Sequence, residues 1–249
     1  MSSGGVTSTP PSYRFSPGFV ARSVVSMLLG RARDPVRDGR RELARIGVRR
    51  RVDGLEQVPA SGAAILVMNH YERPGLRVWW AAWFVLTAVA ERRGGEPVRW
   101  MVTDRFYDYR LLGIPIPERL VAWFLGRVAR TYGLLPVARA DVARRGPLLR
   151  RAYRLLHREG CVLGVTPEAG NEGDGRTLVR PVAGSSASLA WLAGDDVPIV
   201  PVAVFEEDDG TLVARFGEPL NAESLGGDVL VPVARLLPER LRGPYAEVV

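Results

Sequence analysis

The chain has 249 residues, 47% hydrophobic and 24% charged, which suits one large α/β domain better than two full domains. Its single cysteine, Cys161, excludes a disulfide framework and a cysteine-rich metal site. All 34 basic residues are arginine, which excludes Schiff-base chemistry and a lysine-bearing phosphate loop; at a net charge of +7 most of them read as a solvated basic surface, with phosphate-bearing ligands or an anionic lipid surface as natural partners.

Residues 1–16, MSSGGVTSTPPSYRFS, read as a disordered tail without a secretory signal. The next segment, SPGFVARSVVSMLLG, predicts a helix over 17–31 with Phe19, Val20, Val24, Met27, Leu28 and Leu29 on one face. Residues 31–51 then carry nine arginines against three acids, with a second helix predicted over 36–46. An apolar helix followed by a basic segment matches an interfacial anchor on anionic lipid, and equally a helix packed on the protein's own core. Segment 17–47 is therefore read as N-terminal amphipathic and basic helices ahead of an α/β domain over 48–249.

Within that domain, short apolar runs predict strands at 48–53, 63–68, 98–103, 133–137, 161–165, 199–205 and 212–216. Longer amphipathic runs predict helices at 76–92, 117–130, 141–158, 184–193 and 229–241. The alternation implies a mixed, largely parallel sheet of about seven strands flanked by helices. Asp208-Asp209-Gly210 marks a hairpin between the last two strands. The apolar stretch 78–90 is too short to span a bilayer. Its tryptophans, in VWWAAWF (78–84), suit a helix packed on the sheet, an acyl tunnel or a lipid interface.

Ligands of such sheets gather beyond the carboxyl ends of the strands. Three strand ends carry reactive or charged residues: Asn69-His70, Arg139, and Pro167-Glu168. Four segments, NHYERPG (69–75), GLLPVAR (133–139), VTPEAG (165–170) and VPIVPVAV (197–204), together resemble the ordered blocks of the glycerolipid acyltransferase superfamily typified by lysophosphatidic acid acyltransferases. The resemblance covers about residues 50–220. It implies transfer of a fatty acyl group from acyl-CoA or an acyl-carrier protein to a glycerol-type hydroxyl of a lysophospholipid or glycerol phosphate, with no cofactor. It further implies His70 as general base, with Asn69, Arg139, Pro167 and Glu168 binding or orienting substrate. Arg176 stands in for the arginine that usually follows the third block.

The first block departs from the family at its last position, where Gly75 replaces the aspartate that orients the histidine. Glu72 is the nearest carboxylate to take that role, with Asp104 and Glu168 as later alternatives. Arg73-Pro74-Gly75 reads as a tight turn, since proline sets φ and glycine accepts positive φ. Loss of the aspartate admits a second reading, a non-catalytic lipid- or acyl-binding member of the same fold. His157 and Cys161 read as structural. No His/Cys/Asp grouping has metal-ligand spacing, and no aromatic-basic interleaving favours nucleic acid. The expected setting is cytoplasmic and peripheral on the inner face of the cell membrane, in phospholipid biosynthesis.

Overall fold

Residues Ala64–Met68 (β2) are apolar at all five positions, the pattern of a strand covered on both faces, and all five are buried at the centre of the sheet. The computed structural model describes residues 12–103, 110–111, 114–137, 142–168, 174–225 and 227–249. In chain order the other strands are β1 (Arg50–Asp53), β3 (Val98–Thr103), β4 (Arg110–Leu111), β5 (Ile114–Pro115), β6 (Leu135–Val137), β7 (Val162–Val165), β8 (Ile199–Glu206) and β9 (Leu212–Phe216). Seven of them form one sheet in the order β1-β9-β8-β2-β7-β3-β6, and β4 pairs with β5 separately. Every neighbouring pair in the main sheet is parallel except β8 and β9, which form the expected hairpin through Asp208–Gly210. The mixed, largely parallel sheet is therefore as the sequence implies.

The helices are α1 (Pro17–Leu28), α2 (Pro35–Ile46), α3 (Val78–Arg92), α4 (Glu118–Tyr132), α5 (Val142–Glu159), α6 (Ser185–Ala193) and α7 (Val231–Leu236). Asp34 caps α2 by accepting from the Val36 and Arg37 amides, and Pro35 occupies the first turn, where its missing N–H is not needed. α2 packs on α3, α5 lies against β6, β7 and α6, and α7 against β8.

Three expectations change. The predicted 17–31 helix ends at Leu28, and its six apolar residues do not share a face. Phe19 and Met27 turn inward with Ser23, whereas Val20, Val24, Leu28 and Leu29 stay exposed. The reason is the helical period: 19, 23 and 27 lie four apart on one stripe, and 20, 24 and 28 on the next. The predicted 229–241 helix stops at Leu236, because Pro238 forces the preceding Leu237 to extended backbone (ψ 147°). The end of the expected disordered tail is also packed. Tyr13 is buried, the Phe15 ring lies 4.6 Å from that of Trp80, and Ser16 donates to Glu42 Oε1 (2.7 Å) while capping α1. Residues 1–11 lie outside the described residues.

The tryptophans divide by position. Trp80 is buried, Trp83 is half-buried among Phe15, Phe19 and Tyr132, and Trp79 is exposed. The first two therefore belong to the helix–core interface rather than to an open tunnel.

Candidate active site

The register of the central strands brings the site together. In the β2–β7 pair Val67 faces Val165, so continuing both strands by three residues sets His70 level with Glu168. Two residues 98 positions apart thus leave adjacent strands at the same edge of the sheet. The His70 backbone N–H donates to Glu168 Oε2, and the Val179 N–H donates to Oε1 at 3.1 Å. Glu168 is 6% exposed; burial pushes its carboxyl up to about 7, against the opposing pull of these two amides. A buried carboxyl pushed up toward neutrality is a feature of acid–base sites.

Asn69 secures the exit of β2. Its Nδ2 donates to Val204 O (2.9 Å) and its Oδ1 accepts from Val204 N (2.7 Å), so both ends of the buried amide are occupied by β8. The residue expected to contact substrate instead extends the strand pairing by one position through its side chain. His70, directly after it, is half-buried.

The rest of the block folds as the predicted turn. Arg73 and Leu76 exchange backbone hydrogen bonds of 2.8 and 2.9 Å around Pro74 and Gly75, whose φ is +85°. A Cβ at position 75 would lie 3.3 Å from Ser12 Oγ and 3.4 Å from Ser12 Cα. A left-handed backbone against the chain's own N-terminal segment thus occupies the place of the family carboxylate. The turn is anchored instead by Arg73, whose guanidinium forms a two-pronged pair with Glu206 at the end of β8 (2.5 Å for each arm). Both partners are buried, and the Tyr71 hydroxyl donates to the same carboxylate at 3.4 Å. Burial first, and the Glu206 charge second, push the Tyr71 phenol up to about 12. The Tyr13 amide donates to Gly75 O and closes the far side.

Glu72, expected to orient the imidazole, pairs with Arg77 (3.2 Å), and its amide donates to Gly175 O (2.9 Å). That contact draws residues 174–177 onto the His70 loop. Asp174 holds them in a turn by accepting from the Arg176 and Thr177 amides, which keep its carboxyl below the usual range. Arg176 is exposed on this turn, one residue after the Gly175 that the Glu72 amide holds to the His70 loop. Pro167 is buried and its carbonyl accepts from Val182 N (2.9 Å), a scaffold contact. Arg139 and Asp104 lie outside the described residues.

The residues brought together are therefore His70 and Glu168, with the turn that carries Arg176 held to the same loop through Gly175 and with Glu72 turned to Arg77. The Arg73–Glu206 pair was missed. Its sequence signal is a glutamate closing an otherwise apolar strand, VPVAVFE, together with an arginine inside the turn. The two quiet assignments agree with the structure. His157 stacks on Tyr153 at 4.0 Å with Nε2 2.9 Å from Leu192 O, and buried Cys161 has its thiol pushed up to about 11 by desolvation.

Comparison with known proteins bears on the same segments. A family model described as Acyltransferase matches residues 49–205, which contain His70, Glu168 and all but the last residue of β8. Among solved structures, the chain is similar to the 1-acyl-sn-glycerophosphate (LPA) acyltransferase PlsC from Thermotoga maritima, with a TM-score of 0.54 and 16% identity. The alignment covers 90% of this chain and 88% of that one, so the likeness extends to the fold as a whole. No curated protein matches. With more than half its length matched by that model and the sheet, register and strand-end histidine in place, the chain belongs to the acyltransferase family.

Proposed function

We propose that the protein transfers a fatty acyl group from a thioester, acyl-CoA or acyl-carrier protein, to the hydroxyl of a lysophospholipid or glycerol phosphate. The observation that carries this reading is His70 at the carboxyl end of the central strand, its backbone held by Glu168, within the segment matched by the acyltransferase model. In this reading the imidazole takes the acceptor's hydroxyl proton as that oxygen attacks the thioester carbonyl. The new C–O bond forms, the C–S bond breaks, and the departing thiolate takes the proton back from the imidazolium. Glu168 acts on the backbone of His70 and so fixes where the ring starts from. Arg176, exposed on the turn held to the His70 loop through Gly175, suits a phosphate on the acceptor.

The membrane-surface part of the reading rests on α1 and α4, which pack side by side. Val20, Val24 and Leu28 on the first and Leu29 just after it are exposed, as are Leu120, Trp123 and Phe124 on the second. Arg127 joins them through Met27 O (3.3 Å) and sits over the Trp123 ring. Arginines 22, 31, 119 and 130 are exposed on or beside these helices, as interfacial binding to anionic lipid requires. Segment 12–16 links the amino end of α1 to the His70 turn. No helix among the described residues is long and apolar enough to cross a membrane.

The test is release of free CoA from long-chain acyl-CoA in the presence of lysophosphatidic acid, with acyl-carrier protein and glycerol phosphate as alternative substrates. His70→Ala is expected to lower the rate at least about 100-fold, the scale of general-base catalysis. A rate indifferent to that substitution defeats the assignment. Binding of acyl-CoA without turnover of any acceptor supports the second reading, a non-catalytic acyl-binding member, which Gly75 favours.

A further inference from the structure

At the opposite edge of the sheet, a cavity of about 460 Å³ opens between the carboxyl end of α5 and the amino ends of β3 and β6. Arg99, Arg151, Arg154 and Arg158 line it, against a single carboxylate, Glu159. Elsewhere the chain pairs many of its arginines: Arg33 with Asp38, Arg73 with Glu206, Arg93 with Glu96, Arg51 with Glu207. Among the described residues these four make no ion pair, although they share one concavity. Like charges gathered in a concave site repel one another until an anion fills it, and guanidinium groups are matched in geometry to phosphate.

The second observation lies one helical turn away. A cavity of about 470 Å³ between α5 and α6 shares Arg154 with the first and is walled by Tyr153 and Trp191. Tyr153 and Trp191 are partly exposed, at 39% and 51%, and their ring centroids lie 5.2 Å apart. His157 backs Tyr153 by stacking at 4.0 Å, which holds that ring in place. A phosphate-sized cluster of arginines beside two fixed aromatic faces matches a ligand with phosphates at one end and a flat heterocycle at the other.

We propose that the α5 face is a binding site for a phosphorylated adenine nucleotide, with its phosphates on Arg151, Arg154 and Arg158 and its base against Trp191 and Tyr153. Arg99 is level with Ile65 through Leu163, five residues short of His70 along β2, so the site lies about 16 Å behind the reacting edge. The nucleotide is either free, binding away from the chemistry, or the head of the coenzyme A donor; this second source rests on the acyl-transfer reading.

The experiment titrates the full chain with adenosine 3′,5′-bisphosphate and with ADP, by calorimetry at fixed ionic strength. Binding of either probe is expected to weaken at least tenfold in Arg154→Gln/Arg158→Gln and in Trp191→Ala, with far-UV circular dichroism unchanged. No binding of either probe at millimolar concentration, or equal binding by wild type and the arginine variant, overturns the proposal. A loss confined to the arginine variant, with Trp191→Ala binding normally, overturns the nucleotide assignment. Kinetics with acyl-CoA and with the corresponding acyl-pantetheine, which lacks the nucleotide, separate the two sources. A raised KM for acyl-CoA alone identifies the donor head; unchanged KM for both, with binding still lost, identifies a free nucleotide. The calorimetry stands even if no acyl transfer is found, so failure of the catalytic reading is distinguishable from failure of this one.

Discussion

Replacing Glu168 by glutamine tests whether a buried carboxyl titrates beside the His70 backbone. The native group is pushed up to about 7 from an ordinary 4.5 because burial disfavours its charged form more than the His70 and Val179 amides favour it. Between these two values the folded protein binds more protons than the unfolded chain, so stability falls as pH rises. The contribution is fully present below pH 4.5 and is lost as pH passes 7, a difference of roughly 3 kcal/mol. Glutamine has nothing to titrate, but its NH2 must face one of the two amides that donate to the carboxyl, a cost of about 1–3 kcal/mol that is the same at every pH. The difference in stability between the two proteins is therefore expected to move in favour of the variant by about 3 kcal/mol from pH 4.5 to pH 8. Urea unfolding followed by far-UV circular dichroism at pH 4.5, 6, 7 and 8 measures this. Parallel stability profiles, or a steeper loss in the variant, would refute the reasoning.

Arg73→Ala leaves Glu206 buried without its main cation, and about 3–5 kcal/mol of stability should be lost in urea or thermal unfolding. The double change Arg73→Met with Glu206→Leu should recover most of that loss, since a buried ion pair contributes little over an apolar pair of similar size. Gly75→Asp restores the family residue but forces a side chain onto φ +85° against Ser12, so it should cost about 1–2 kcal/mol and lower acyl transfer. A rise in turnover instead would show that the missing carboxylate limits the reaction. Leu28→Ser/Trp123→Ser/Phe124→Ser should weaken sedimentation with anionic vesicles at least tenfold while leaving the urea midpoint nearly unchanged, because these side chains are already exposed in the folded protein.

The order and type of the main elements were legible in the chain because their signals are local. Five apolar positions in a row at 64–68, the glycine and aspartate cluster at 208–210, and the proline and glycine at 74–75 each act within a few residues. The four-block resemblance added the placement of His70 and Glu168 at strand ends. Its reach stopped where this chain departs from the pattern. Glu72 is close to His70 in sequence, yet its carboxylate faces Arg77, and Asn69 spends its amide on the sheet.

What the residues alone determined was which segments become strands and helices, since steric preference and hydrophobic period are properties of neighbours along the chain. The tertiary structure alone decided the β2–β7 register that sets Glu168 under the His70 amide, the union of Arg73 with a glutamate 133 residues away, and the division of α1 between core and surface. The same holds for the four arginines that converge behind the sheet. Each depends on how whole layers stack to exclude water, and that packing is resolved only when distant segments meet.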